Sequence, residues 1–106
     1  MIFIVAKYRT KPEWTQRWPE LVKEFTEATR AEPGNIFFEW SKSLEAEDEF
    51  VLVEAFQDDA GEAHVNSDHF AKGMAAMKPA LAETPKIISR SVEGAGWDEM
   101  GELQVE

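Results

Sequence analysis

The chain contains no cysteine, which removes disulfides, thiolate nucleophiles and cysteine-ligated metals, closes zinc-ribbon and iron–sulfur readings, and suits a reducing compartment. It also lacks a long apolar run. Residues 1–6 are apolar but pass at once into Lys7, Tyr8 and Arg9, too short for a signal-peptide core or a membrane span. The segment reads as a strand of a soluble, cytoplasmic protein. Basic charge is scarce and scattered: eleven Lys and Arg stand against twenty-one Asp and Glu, for a formal net charge of −10. No basic stripe is available to neutralise phosphates, so neither nucleic acid nor an anionic membrane is an expected partner. Low-complexity tracts and internal repeats are absent too.

What remains fits one domain, since 106 residues can bury a modest core without a disulfide or a structural metal. β-Branched and aromatic residues predict a first strand over 2–9. Thr10-Lys11-Pro12-Glu13 has capping-box spacing, with Thr10 as N-cap, and a helix is expected from there to about residue 31. Its apolar positions Trp14, Trp18, Leu21, Val22, Phe25 and Ala28 recur at steps of three and four. Pro19 deletes one amide and predicts a kink or a short first segment. Pro33-Gly34 ends the helix, with Gly34 free to take a positive φ.

Residues 35–43 and 49–56 predict two antiparallel strands joined by the acidic loop 44–48. Alternation puts Ile36, Phe38 and Trp40 on one face of the second strand and Asn35, Phe37 and Glu39 on the other. In the third strand, Val51, Val53 and Ala55 oppose Phe50, Leu52, Glu54 and Phe56. Asp58 or Asp59 is a candidate cap for a short helix over 60–66, and Ser67 or Asp68 for a second over 69–82. A fourth strand is expected over 84–92.

The order β-α-β-β-α-β is that of a ferredoxin-like α+β fold with an antiparallel sheet, occupying residues 1–94. Both faces of the sheet carry large apolar groups, and the chain has one layer of helices to cover them, so a homodimer with facing sheets is expected. The acidic tail, 95–106, contains Trp97, Met100, Leu103 and Val105, which predict that it packs on its own domain or across the dimer.

His64 is the leading candidate for chemistry: an imidazole with an ordinary pKa of about 6.5 serves as base or acid near neutrality. An exposed or merely hydrogen-bonded helical histidine is the plainer reading. His69 starts the next helix, where the positive end of the dipole disfavours its protonation, and a structural role is preferred for it. Five residues apart, the two histidines would fall on different sides of a continuous helix, a break is expected between them, and no metal site is expected. Glu54 interrupts an apolar strand, either as a polar pocket residue or, preferably, paired with Lys7 or Arg90. Asn35 follows the Pro-Gly turn and could orient a ligand oxygen. Phe38, Trp40, Phe70, Met74 and Met77 are core candidates that would equally line an apolar cavity for a planar aromatic or quinone-like ligand.

Glu32-Pro33-Gly34-Asn35, Phe50-Val51-Leu52-Val53-Glu54-Ala55-Phe56, and Ala63-His64 followed by Ser67-Asp68-His69-Phe70 resemble the antibiotic biosynthesis monooxygenase domain family. The resemblance spans residues 2–92 and implies a dimeric α+β barrel. Within that family, the histidine at position 64 matches the quinol-oxidising and isomerase-like branches. Haem-degrading relatives would place a tryptophan at 64, their iron-ligating histidine at Met74 and an asparagine at Lys7, none of which is present. The resemblance therefore implies a cofactor-independent monooxygenase acting on an electron-rich phenol, hydroquinone or polyketide-like aromatic. In that reading His64 is the proton acceptor, and Asn35 and the Trp40 indole donate to substrate oxygens. An isomerase or lyase on a small keto compound, using the same histidine, and a non-catalytic ligand-binding dimer are the alternatives.

Overall fold

The computed structural model describes residues 1–105; Glu106, the last residue of the expected tail, lies outside the described residues. Strand β1 (Ile2–Arg9) is followed by a 3-10 turn at Pro12–Trp14 and two short helices, α1 (Trp18–Leu21) and α2 (Lys23–Arg30). The hairpin β2 (Asn35–Lys42) and β3 (Glu49–Phe56) leads to α3 (Gly61–Val65) and α4 (Asp68–Met77), a 3-10 turn at Lys78–Ala80, and β4 (Lys86–Ser91). The four strands form one antiparallel sheet in the order β2-β3-β1-β4. This is the ferredoxin-like arrangement, with both crossovers packed on one face.

Register decides what each face carries. Ala6 lies opposite Leu52, Tyr8 opposite Phe50 and Ile4 opposite Glu54 on β1 and β3, while Phe38 and Trp40 lie opposite Glu54 and Leu52 on β2 and β3. These residues meet the helices. Trp18, Val22, Phe25, Phe38, Phe50, Leu52 and Met77 are buried there in one core; burying each large side chain contributes about 1.5–3 kcal/mol. The opposite face carries Phe3, Val5, Val51, Val53 and Ile88. Strict alternation fails at the start of β2, where a register shift between Asn35 and Phe37 marks a β-bulge.

The expected long first helix is broken. Thr10 does not cap it. The residue is buried, bridges to Leu81, and shares a 2.7 Å hydrogen bond between its hydroxyl and that of Thr15. Pro19 sits in the first turn of α1, where a missing amide leaves no helix bond unmade. Val22, with φ −93° and ψ 1°, separates α1 from α2. In the second crossover Ser67 is the N-cap of α4, its Oγ accepting from Phe70 N at 3.1 Å, whereas α3 has no side-chain cap. The fourth strand is shorter than expected, and all six of its residues are exposed.

Gly34 does not adopt a positive φ; Gly94 and Gly96 do. Its requirement is space, because a Cβ placed on Gly34 would overlap the Ala60 side chain. The tail touches the sheet through Trp97, whose ring stacks on Phe37 at 5.0 Å, while Met100, Leu103 and Val105 project as exposed side chains. No helix among the described residues is long and apolar enough to cross a membrane.

The Gly34 contact yields a stability test. Gly34→Ala should destabilise the domain by about 1–3 kcal/mol through overpacking, lowering the thermal midpoint by several degrees. An unchanged midpoint in a thermal melt would show that the two loops can separate freely.

Candidate functional site

The site is built from the carboxylate that closes the first crossover and the two histidines of the second. After α2 the chain turns through Glu32, Pro33 and Gly34, with Asn35 N donating to Glu32 O at 3.1 Å. Glu32 Oε2 lies 2.7 Å from His64 Nδ1 and 2.5 Å from His69 Nε2. The two histidines converge because the helix breaks between them: Ser67 Oγ donates to His64 O at 2.6 Å and accepts the Phe70 amide, redirecting α4. The objection that five-residue spacing keeps them apart does not survive this break.

His64 is 5 % exposed, and its ring packs 4.6 Å from Phe56, 5.1 Å from Phe70 and 5.9 Å from Phe25. Because a carboxylate only accepts hydrogen bonds, the bond to Glu32 makes Nδ1 the donor. In the neutral ring, Nε2 then carries the lone pair. Nε2 lies 3.9 Å from Glu54 Oε1. Burial, followed by the nearby Glu32 charge, raises the Glu54 pKa from its ordinary 4.5 to about 7. Burial, and after it the Glu54 charge, also push the Tyr8 hydroxyl well above its usual value.

The expected partners of Glu54 are corrected by the register. Glu54 lies on the helix-facing side of β3, whereas Lys7 pairs with Val51 and Arg90 with Phe3 on the other side. Neither cation can reach it. Of the other candidates, Phe70 meets His64 directly, and Phe38 reaches the cluster through Phe25 at 5.5 Å. Met77 is buried core and Met74 is 36 % exposed. The Asn35 amide donates to Phe37 O at 3.0 Å and Ala55 O at 3.2 Å, tying the bulge. The Trp40 indole donates to Thr26 Oγ1 at 2.8 Å, and its ring meets Phe38 edge-on at 6.2 Å, at the far end of the core from His64.

Glu32 and the converging role of His69 escaped sequence reasoning. The available signal was Glu32 itself, a carboxylate fixed by the helix-ending Pro-Gly turn. Its Oε2 and the two imidazole nitrogens lie within 4.8 Å of one another, and two imidazoles with one carboxylate are a donor set able to hold a divalent transition ion. Free space here is small: a cavity of about 60 Å³ beside His69, Phe25 and Gly73. A larger cleft, about 410 Å³, opens elsewhere, against Trp18, Trp40 and Phe50.

Residues 1–76 match the family model described as antibiotic biosynthesis monooxygenase. The chain belongs to the antibiotic biosynthesis monooxygenase family. Solved structures agree. A conserved protein from Methanosarcina mazei Go1 is 28 % identical with a TM-score of 0.80, covering 87 % of this chain and 92 % of its own. A provisionally named antibiotic biosynthesis monooxygenase from Caulobacter crescentus CB15 is 25 % identical with a TM-score of 0.79, covering 87 % and 90 %. Another provisionally so named, from Nitrosomonas europaea, shares the fold at 24 % identity and a TM-score of 0.79, covering 87 % and 98 %. No curated protein matches the chain.

In this member of the antibiotic biosynthesis monooxygenase family, Glu54 imposes a pH dependence on stability. Its folded-state pKa is raised, so the folded protein holds the proton more tightly than the unfolded chain. That contribution is full below about pH 4.5 and is lost as pH rises through about 7. Glu54→Gln should therefore flatten the decline, and at pH 8 should stabilise the protein by up to about 3 kcal/mol. Parallel decline of both proteins in denaturant titrations from pH 4 to 8 would dismiss Glu54 as the source.

Proposed function

We propose that the protein is a cofactor-independent monooxygenase that oxidises an electron-rich aromatic compound (a phenol, a hydroquinone or a polyketide-like ring system) with dioxygen. The observation that carries this reading is the orientation of His64, whose Nδ1 is held by Glu32 while Nε2 turns toward Glu54 between Phe56 and Phe70. A neutral imidazole so held presents one basic nitrogen inside an apolar enclosure.

For a phenol or hydroquinone, His64 Nε2 removes the hydroxyl proton, leaving negative charge on a ring carbon that carries hydrogen. The resulting carbanion, delocalised as the phenolate, passes an electron to dioxygen. Recombination forms a carbon–oxygen bond, the imidazolium returns the proton to the peroxide, and loss of water leaves a carbonyl. One oxygen atom enters the product and the other leaves as water. The protein's part is to take and return one proton, orient the ring, and exclude water. Glu32 acts as a positioning residue by fixing the tautomer and stabilising the imidazolium, and His69 holds Glu32 in place. Phe25, Phe56 and Phe70 supply the apolar walls, with Phe38 behind Phe25. Because the cavity beside His69 is small, admission of a ring requires α3 to yield. Its five residues and uncapped start give it little local support.

Oxygen uptake with a panel of hydroquinones and polycyclic phenols should exceed the uncatalysed rate. His64→Ala should lower turnover by about 10²–10⁴-fold. Uptake undiminished in that variant would remove the base assignment. Isomerisation or lysis without oxygen consumption would move the protein to the other branch of its family.

A homodimer formed through the outer sheet face is part of the same proposal. Phe3, Val5, Val51 and Val53 are only partly buried in the single chain, and Ile88 is 60 % exposed, an apolar surface that a second copy would cover. Sedimentation should give twice the chain mass, and Val53→Glu should shift it to a single chain. A monomeric wild-type protein at micromolar concentration would contradict the assembly.

A further inference from the structure

The aromatic-floored cleft of the molecule is not at His64. It lies between the α1–α2 segment and the edge of β2, a cleft of about 410 Å³ floored by Trp18, Trp40 and Phe50. Trp18 stacks on Phe50 at 5.8 Å and meets Trp40 edge-on at 5.7 Å, giving the cleft a rigid aromatic floor. Phe50 and Phe56 stand at opposite ends of β3, so about 20 Å of strand separates this cleft from the His64 enclosure.

Its charge runs against that of the whole molecule. Lys23, Arg30 and Lys42 line the cleft against a single carboxylate, Glu27, in a chain of net charge −10. None of these three cations forms an ion pair among the described residues. Arg30 spends Nε on Phe38 O at 2.9 Å, which fixes the guanidinium stem and leaves its two terminal nitrogens without a described partner. Lys42 Nζ stands 5.7 Å from the Phe50 ring centroid, at the mouth of the aromatic floor.

Two donors are also unspent. Thr26 Oγ1, also in the lining, accepts the Trp40 indole at 2.8 Å, and its own hydrogen has no acceptor among the described residues. The Trp18 indole nitrogen is buried without a hydrogen-bond partner, and such an orphan in a lining residue calls for an explanation. Aromatic walls, a rim of three uncommitted cations and unspent donors all ask for the same complement: a flat apolar body carrying an acceptor-rich negative group.

We propose that this cleft is a second ligand site, for a one- or two-ring aromatic carboxylate, and that it works independently of His64. The rings lie against Trp18, Trp40 and Phe50, and the carboxylate is held by Lys42, Arg30 and Lys23.

The test is titration of the purified protein with 2-naphthoate and, in parallel, the neutral isostere 2-naphthamide, following tryptophan fluorescence and indole N–H resonances. Naphthoate should saturate and bind at least about tenfold tighter than the amide. The exposed pair of substitutions Lys23→Gln and Lys42→Gln, which replaces no core residue, should weaken naphthoate by about tenfold or more and leave the protein folded, with a cooperative thermal melt. His64→Ala should bind naphthoate like the wild type. Equal binding of acid and amide, indifference to the lysine substitutions, loss of binding in His64→Ala, or no saturation at millimolar naphthoate would each overturn the proposal. None of these outcomes depends on oxygen consumption, so this site and the oxygenase reading stand or fall separately.

Discussion

A four-stranded sheet that is apolar on both faces, in a chain with one layer of helices, is the constraint from which the rest of the structure follows. The helices cover the face that carries Phe38, Phe50, Leu52 and Phe56. They do so in four short pieces, because Pro19, the break at Val22 and the cap at Ser67 prevent long ones. Short helices have many ends, and ends carry unpaired polar groups. The Glu32 turn and the α3–α4 break are two such ends, and their meeting brings Glu32, His64 and His69 together inside the helix layer.

That concentration has its own logic. Glu32 and Glu54 flank His64 on its two ring nitrogens at 2.7 Å and 3.9 Å. Two carboxylates this close to one imidazole cannot both be charged cheaply in a desolvated space. Glu32 accepts from both histidines, while burial, and after it the Glu32 charge, raises the proton affinity of Glu54. A surface network of the same residues would be worth little; enclosure by Phe25, Phe56 and Phe70 is what gives the arrangement its leverage.

Much of this was legible in the sequence. Period-two alternation and turn residues placed the strands to within a few positions, while the burial of His64 was one of two readings the sequence left open. The tertiary compensations were not legible. Thr10 satisfies capping spacing, yet it pairs with Leu81 and Thr15 instead, because its backbone continues the end of β1. Gly34 has the sequence of a left-handed stop and is instead a close approach to Ala60, a contact between loops distant in sequence. His69 and Glu32 are thirty-seven positions apart, and no local pattern announces their contact. The same holds for Glu54, whose pairing depended on facing, and for the Trp18–Trp40–Phe50 floor, whose members come from three elements.

β4 is the outermost strand on one side, wholly exposed, with the adjacent pair Ile87-Ile88 at 63 % and 60 % exposure. An open backbone edge carrying two β-branched residues is the sort of segment along which like chains stack into insoluble aggregates. Lys86 and Arg90 bracket that pair, and in-register stacking of a second β4 would set cation on cation at both ends. The strand thus bears its own gatekeepers, which oppose uncontrolled edge-to-edge growth while the surrounding sheet face remains apolar.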